Sequence, residues 1–313
     1  MSKKANIIAA LLCLLFIIII IVGIIMVYGE KSEKGSENEK SLSKIEGAVV
    51  SYLGPQGTYT EEACKLFFSN EGTYEPYETV EDAVQALSEG KSDYAVIPQE
   101  NTIGGAVTDY VDTLINQPGV SVVGEVELPI SQNLLVLPGT KIDDIKTVYS
   151  HKQGIAQSKA WLEANLPDAV IIEVSSTAEG AKMVSEGNDS SCAAIASIGC
   201  VDVYNLEALA EGIQENDNNK TRFYVLSTEE PATVTADRIA FIAEGNAENL
   251  PDLMTEIKKQ GMTLVTVHDR PEKTELGNYY YVIECSDSSY DDYLNITEKA
   301  DFDFRYLGSF YTE

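Results

Sequence analysis

From Ala48 onward, short apolar runs alternate with helical patterns, and no other feature constrains the fold of this chain as strongly. AVVSYLG, DYAVIPQ, VSVVGEVEL, NLLVLP, TVYS, AVIIEVS and CAAIAS read as strands, most of them followed by apolar residues at helical spacing. Such alternation builds an α/β sheet, partly parallel. Three strand-to-helix junctions fit the capping box S/T-x-x-E/Q: Thr58 to Glu61, Ser150 to Gln153 and Ser176 to Glu179. A fourth junction, PQENTIGG at 98–105, precedes a helix with Val107, Val111, Leu114 and Ile115 on one face. Ligands of open α/β folds bind beyond the carboxyl ends of strands, where free N–H groups of helix N-termini favour anions.

NNKTRFYV, at 218–225, contains the first arginine of the chain, Arg222. A guanidinium captures carboxylate or phosphate in bidentate fashion. Placed beside Thr221 and Phe223, just before an expected strand, it adds to the case for an anion site. The net charge of −28 and pI near 4.3 exclude nucleic acid as a partner and require any anion site to be built locally. Cys64, Cys192, Cys200 and Cys285 show no metal-ligand spacing and no disulfide framework, and are expected to be buried thiols.

After Pro231 the pattern changes to DRIAFIAE (strand), a helix through Leu250, Leu253, Met254 and Ile257, then MTLVTV and NYYYVIEC (strands). SYDDYLNITEKA (helix) and FRYLGSF (strand) complete a βαββαβ order, the ferredoxin-like arrangement. At the other end, the 22 residues from Ile7 to Tyr28 carry no charge, enough to span a bilayer at roughly 20 residues. They are expected to form an uncleaved anchor, with residues 1–28 as tail and transmembrane helix. Residues 29–47 are Ser, Glu and Lys with almost nothing apolar, a solvated linker. Lys3 and Lys4 precede the span while Lys31, Lys34, Lys40 and Lys44 follow it, which leaves the orientation open. The commoner arrangement, a short tail inside and the body extracytoplasmic, is the expectation.

With these residues laid out, the chain resembles prephenate dehydratase followed by an ACT regulatory domain, from about Val50 to the C-terminus. YLGPQGTYTEEA is similar to the family's opening glycine-rich turn, VIPQENTIGGAV to its ENS/ENT loop and YSHKQGIAQ to its SHPQ segment. SSTAEGA resembles its STA segment and NNKTRF its TRF motif. The resemblance implies a two-lobed, periplasmic-binding-protein-like catalytic domain at 48–230, with the site between the lobes, and an ACT domain at 236–313. It implies decarboxylation and dehydration of prephenate to phenylpyruvate, with Thr221 as proton donor to the departing ring hydroxyl and no metal or cofactor. Arg222, Phe223, Glu100, Asn101, Thr102, Ser150, His151, Gln153, Ser176 and Thr177 are the implied substrate-binding set. Within it, Glu100 is either an acid or a hydrogen-bond organiser, and His151 either a cap or a contact.

The C-terminal half departs further from the family. Glu248-Asn249-Leu250 stands where a GAL turn is usual, and His268-Asp269-Arg270-Pro271 where ESRP is usual. Asn249, Leu250, Arg270 and Pro271 are therefore candidate regulatory residues for L-phenylalanine, while a dimerisation module without ligand response stays open, and a homo-oligomer is expected. The rival class is a membrane-tethered binding protein for a small anion or amino acid, or an inactive ACT-containing sensor. Against both, five motifs stand in the family's order and the threonine–arginine pair is intact, although Lys152 stands where the family usually has proline and Pro129-Ile130-Ser131-Gln132 where it often has histidine.

Overall fold

Most of the apolar runs pair with neighbours on both sides, and the order of those neighbours creates two lobes joined by two crossings. The computed structural model describes residues 47–68 and 72–313. The expected membrane span at 7–28 and the linker up to residue 46 lie outside the described residues. Among the described residues no helix is long and apolar enough to cross a membrane.

The first lobe comprises β1 (Val49–Leu53), α1 (Tyr59–Phe67), β2 (Thr73–Tyr77), α2 (Val80–Ser88) and β3 (Tyr94–Asn101). It continues through the two-residue β4 (Gly105–Ala106), α3 (Thr108–Asn116) and β5 (Ser121–Pro129). The chain then crosses to β6 (Asn133–Val136), β7 (Thr147–Ser150), α4 (Lys152–Gln157), α5 (Lys159–Asn165) and β8 (Val170–Glu173). The second lobe closes with α6 (Thr177–Gly187), β9 (Cys192–Ala196), α7 (Cys200–Tyr204) and β10 (Glu207–Ala210). β11 (Lys220–Ser227) returns to the first sheet, antiparallel to both β3 and β5. The strand order is β2-β1-β3-β11-β5 in the first lobe and β10-β6-β9-β7-β8 in the second. Backbone hydrogen bonds tie the crossings to each other, Ile130 N donating to Asn219 O at 2.9 Å and Ile213 N to Gln132 O at 2.9 Å.

The C-terminal unit is β12 (Arg238–Asn246), α8 (Leu250–Lys259), β13 (Thr263–Pro271), β14 (Asn278–Ser286), α9 (Tyr290–Thr297) and β15 (Asp303–Thr312). Its antiparallel order β13-β14-β12-β15 is the ferredoxin-like arrangement expected from the sequence. Period two divides β12 between two cores. Ile239 and Phe241 pack with Leu253 and Ile257 of α8, whereas Ala240 and Ile242 pack with Tyr110, Leu114 and Tyr224 of the first lobe. The end of β15 pairs in parallel with β5, Tyr311 opposite Gly124 and Thr312 opposite Glu125, so one sheet runs through both units. Gly308 makes that approach possible. Its φ is +141° and a Cβ there would lie 2.4 Å from Val122 O, so any other residue would push the strands apart.

Of the three expected capping boxes, only the Ser176 hydroxyl accepts from the N3 amide, Glu179 N, at 3.0 Å. Thr58 occupies the N-cap of α1 without a side-chain cap bond. The cap of α4 falls on His151 instead of Ser150, because Ser150 completes β7 and donates from Oγ to Ile195 O at 2.7 Å.

Candidate active site

The sequence expectation placed Arg222 just before a strand; Thr221 and Arg222 in fact lie inside β11, and this decides which faces they serve. Adjacent strand residues point to opposite sides of a sheet. Thr221 pairs with Asn101 and Arg222 with Glu100 across β11 and β3, so each pair shares a face. Phe223, two positions on from Thr221, is buried in the core.

On the Thr221 face, Asn101 Nδ2 donates to Thr221 Oγ1 at 2.9 Å, and Thr221 is 9% exposed. The second lobe meets this point closely. A methyl group placed on Gly104 would contact Gln153 Nε2 at 2.7 Å and Asn101 Oδ1 at 3.4 Å. One placed on Gly154 would contact Ser150 Oγ at 2.6 Å, Thr177 Cγ2 at 3.2 Å and Gln132 Oε1 at 3.4 Å. Thr221, Asn101, Gln153, Ser150 and Thr177 therefore line one seam between the lobes, joined by Gln132, which was not among the expected site residues. Ser176 opens α6 beside Thr177. Thr102 instead fastens the loop, its hydroxyl donating to Lys220 O at 3.0 Å and accepting from Lys220 N at 3.2 Å.

His151 Nδ1 accepts from Gln153 N at 3.4 Å, so a neutral ring carries its proton on Nε2. Burial, reinforced by Lys152, holds its pKa below the ordinary histidine value, which favours that neutral form. The seam is walled further along by the glycine-rich turn. Tyr59 donates to Ser131 O at 2.7 Å, Tyr204 to Gln56 O at 2.8 Å, and Ser197 to Glu62 Oε2 at 2.8 Å. Cys64, Cys200 and Cys285 are buried free thiols and Cys192 is half-buried. Burial pushes the Cys200 thiol up to about 12, so it carries no thiolate at neutral pH.

The opposite face of β11 holds a charged cluster. The Arg222 guanidinium, 14% exposed as a side chain, bonds Glu100 Oε2 at 2.5 Å and Glu284 Oε1 at 3.2 Å, with Glu125 Oε2 at 3.6 Å. Glu284 belongs to β14 and is fully buried, where it also accepts from Gln99, Tyr224 and Arg238 at 3.0, 2.7 and 3.1 Å. Two guanidiniums thus face three carboxylates. Burial and the neighbouring Glu284 push the Glu125 carboxyl up to about 8, so one carboxyl of the group keeps its proton at neutral pH. Tyr110, hydrogen-bonded to His268 Nδ1, and the bidentate pair of Arg270 with Asp112 extend the contact between first lobe and C-terminal unit. Arg222 and Glu100 therefore join the C-terminal unit and are not gathered with Thr221. Arg270 is likewise engaged with α3. Asn249 Nδ2 donates to Asp301 Oδ2 at 3.2 Å, Leu250 packs on the C-terminal core, and Pro271 ends β13 in the open.

The two lobes, the seam at Thr221 and the order of motifs along the chain define a class. The family model described as prephenate dehydratase matches residues 50–231, and the chain belongs to the prephenate dehydratase family. It is 32% identical over 276 residues to the bifunctional chorismate mutase/prephenate dehydratase of Aquifex aeolicus, covering 86% of this chain and 75% of that one. Identity to the prephenate dehydratase of Lactococcus lactis subsp. cremoris is 32% over 247 residues, covering 77% and 87%. The crystal structure of prephenate dehydratase from Arthrobacter aurescens in complex with L-Phe is similar with a TM-score of 0.76 at 27% identity, over 84% of this chain and 90% of that one. A quorum-quenching acylase shares the fold at a TM-score of 0.76 and 20% identity, over 85% and 98% of the two chains. Fold alone therefore does not select the chemistry, and the site must.

Proposed function

We propose that this chain is a prephenate dehydratase, converting prephenate to phenylpyruvate on the route to L-phenylalanine. The observation that carries the reading is the Thr221 hydroxyl, held by the Asn101 amide at the seam between the lobes, inside the region that matches the family. Loss of carbon dioxide breaks the bond from ring to carboxylate and sends its electron pair into the ring. The ring hydroxyl leaves with the C–O pair and takes the Thr221 proton to become water. A positioned acid contributes ~10²–10⁴ in rate. The Asn101 N–H stabilises the alkoxide left on Oγ1, and solvent returns the proton. In this proposal the substrate carboxylates rest on backbone N–H groups at the start of α6, with Ser176, Thr177 and Gln153, while Ser150 and His151 frame the pocket. Arg222 and Glu100 hold the C-terminal unit to the catalytic lobes.

Residues 236–313 are proposed to be an ACT domain behind a catalytic domain at 48–230. The L-Phe complex of the Arthrobacter relative supports phenylalanine as its ligand. The β14 ladder, with Asn278 opposite Asn246 and Tyr279 opposite Pro271, supports a single site shared by the 249–250 turn and the 270–271 segment. Self-association through this unit and anchorage by residues 7–28, with the body extracytoplasmic, complete the proposal. The test is phenylpyruvate formation from prephenate by the full-length chain beside Thr221→Ala. Turnover cut by ~10² or more in the variant is the expected result. A folded wild type that binds prephenate without converting it would overturn the enzyme reading.

A further inference from the structure

The direction of the Thr221 hydroxyl is set by a row of amides whose polarity has a single solution. It begins with Asn101. The N–H groups of Ile103 and Gly104 donate to Asn101 Oδ1 at 3.0 and 2.8 Å, and backbone donors cannot be reversed. Nδ2 must therefore face Thr221 Oγ1 at 2.9 Å, Asn219 Oδ1 at 2.8 Å and Lys220 O at 3.1 Å. Since Asn219 offers its oxygen to Asn101, its Nδ2 faces Gln157 and donates to Oε1 at 3.1 Å. Gln132 Nε2 then donates to that same oxygen at 3.0 Å. Exchanging O and N in any one amide would set two donors or two acceptors against each other.

The position of this row matters as much as its polarity. Asn219 is 1% exposed and Gln132 3%, and they sit on the two crossings between the lobes. Gln157 is the last residue of α4 in the second lobe. Buried polar rows rigidify what they touch. Every amide of this row bonds its neighbour, although Gln132 Oε1, at the far end from Thr221, is buried without a partner among the described residues. Because Thr221 Oγ1 accepts from Asn101, its own proton can only be donated away from the row, into the seam.

We infer that Asn219 and Gln157 are positioning residues for the acid Thr221, so that a helix of one lobe aligns the hydroxyl of the other. The inference rests on the prephenate dehydratase reading with Thr221 as proton donor.

The experiment uses the full-length chain with prephenate, comparing Gln157→Leu and Gln157→Glu in the wild-type and Thr221→Ala backgrounds. Leucine removes the acceptor; glutamate keeps it for both donors and adds a charge that a dianionic substrate senses mainly in KM. The expected result is a kcat ~10-fold lower for Gln157→Leu with KM within about twofold, and kcat within about threefold of wild type for Gln157→Glu. In the Thr221→Ala background Gln157→Leu should cause no further loss, because the group it aligns is gone. Asn219→Ala, a second break in the same row, should repeat this dependence on Thr221. Equal losses in both backgrounds, or a glutamate variant as slow in kcat as the leucine one, would overturn the inference alone. Wild-type turnover by Thr221→Ala would overturn the assignment of the acid and the inference with it.

Discussion

Thr221 and Arg222 are neighbours in one strand, yet their surroundings have opposite chemistry. The Thr221 face meets neutral amides and hydroxyls whose hydrogen bonds fix direction. The Arg222 face meets three carboxylates and, through Glu284, a second guanidinium. The contrast follows from what each face must do. In the proposed reaction Thr221 gives up a proton, and such a group needs a defined orientation without a fixed cation that would hold the substrate in the wrong place. A joint between two packed units needs strength and a unique register, and buried charges supply register because any misalignment strands one of them. In this reading, charge on the strand serves assembly and neutral polarity serves the seam.

The largest effect should come from the charged face. Glu284→Ala leaves Arg222 and Arg238 facing an empty buried volume, and unfolding free energy should fall by ~3–5 kcal/mol, read by denaturant titration. A loss below ~1 kcal/mol would show that the cluster is idle, since that is the value of an exposed pair. Next is Glu125→Gln. The Glu125 carboxyl has a raised folded pKa, so the wild type loses stability as pH climbs from the unfolded value near 4.5 to about 8, while the unfolded chain ionises and the folded one does not. The amide removes that slope, and at ~1.4 kcal/mol per pH unit the variant should gain several kcal/mol over wild type at pH 8 and nothing at pH 4. Melting curves across that range would expose a uniform shift, which would contradict the assignment. The smallest effect belongs to the seam. Ser176→Ala removes the cap of α6 and should cost about 1 kcal/mol of stability. Its KM for prephenate should rise, because the N–H groups it orders are the proposed carboxylate contacts; an unchanged KM would remove α6 from the substrate site.

Much of this was legible in the chain. Apolar runs bounded by turn residues located seven strands of the two lobes, and the C-terminal βαββαβ order followed from the same periodicity. β2 escaped notice because TYEPY is short and largely exposed, and β10 because EALA is only four residues of strong helix formers. The Thr221 face was readable as motifs, since ENT, SHKQ and STA each open a helix or turn that leads to the seam. The face of Arg222 was not, although period two separates adjacent residues once the strand is known to begin at Lys220. Glu284 lies 62 residues from Arg222 in sequence, and only the β14-β12-β15-β5 order carries it there. Asn219 and Gln157 stand inside the NNKTRF and YSHKQGIAQ segments, but their partners lie far along the chain, so the motifs did not show that they and Gln132 form one row.

The two faces are separated most directly by paired measurements of turnover and melting on Thr221→Ala and Arg222→Gln. The account predicts that Thr221→Ala melts as the wild type does and loses ~10² or more in kcat. Arg222→Gln should lower stability by about 3 kcal/mol and, below its melting temperature, keep a KM for prephenate near that of the wild type. An Arg222→Gln chain of undiminished stability that no longer binds prephenate would contradict it, because the guanidinium would then belong to the substrate and not to the joint.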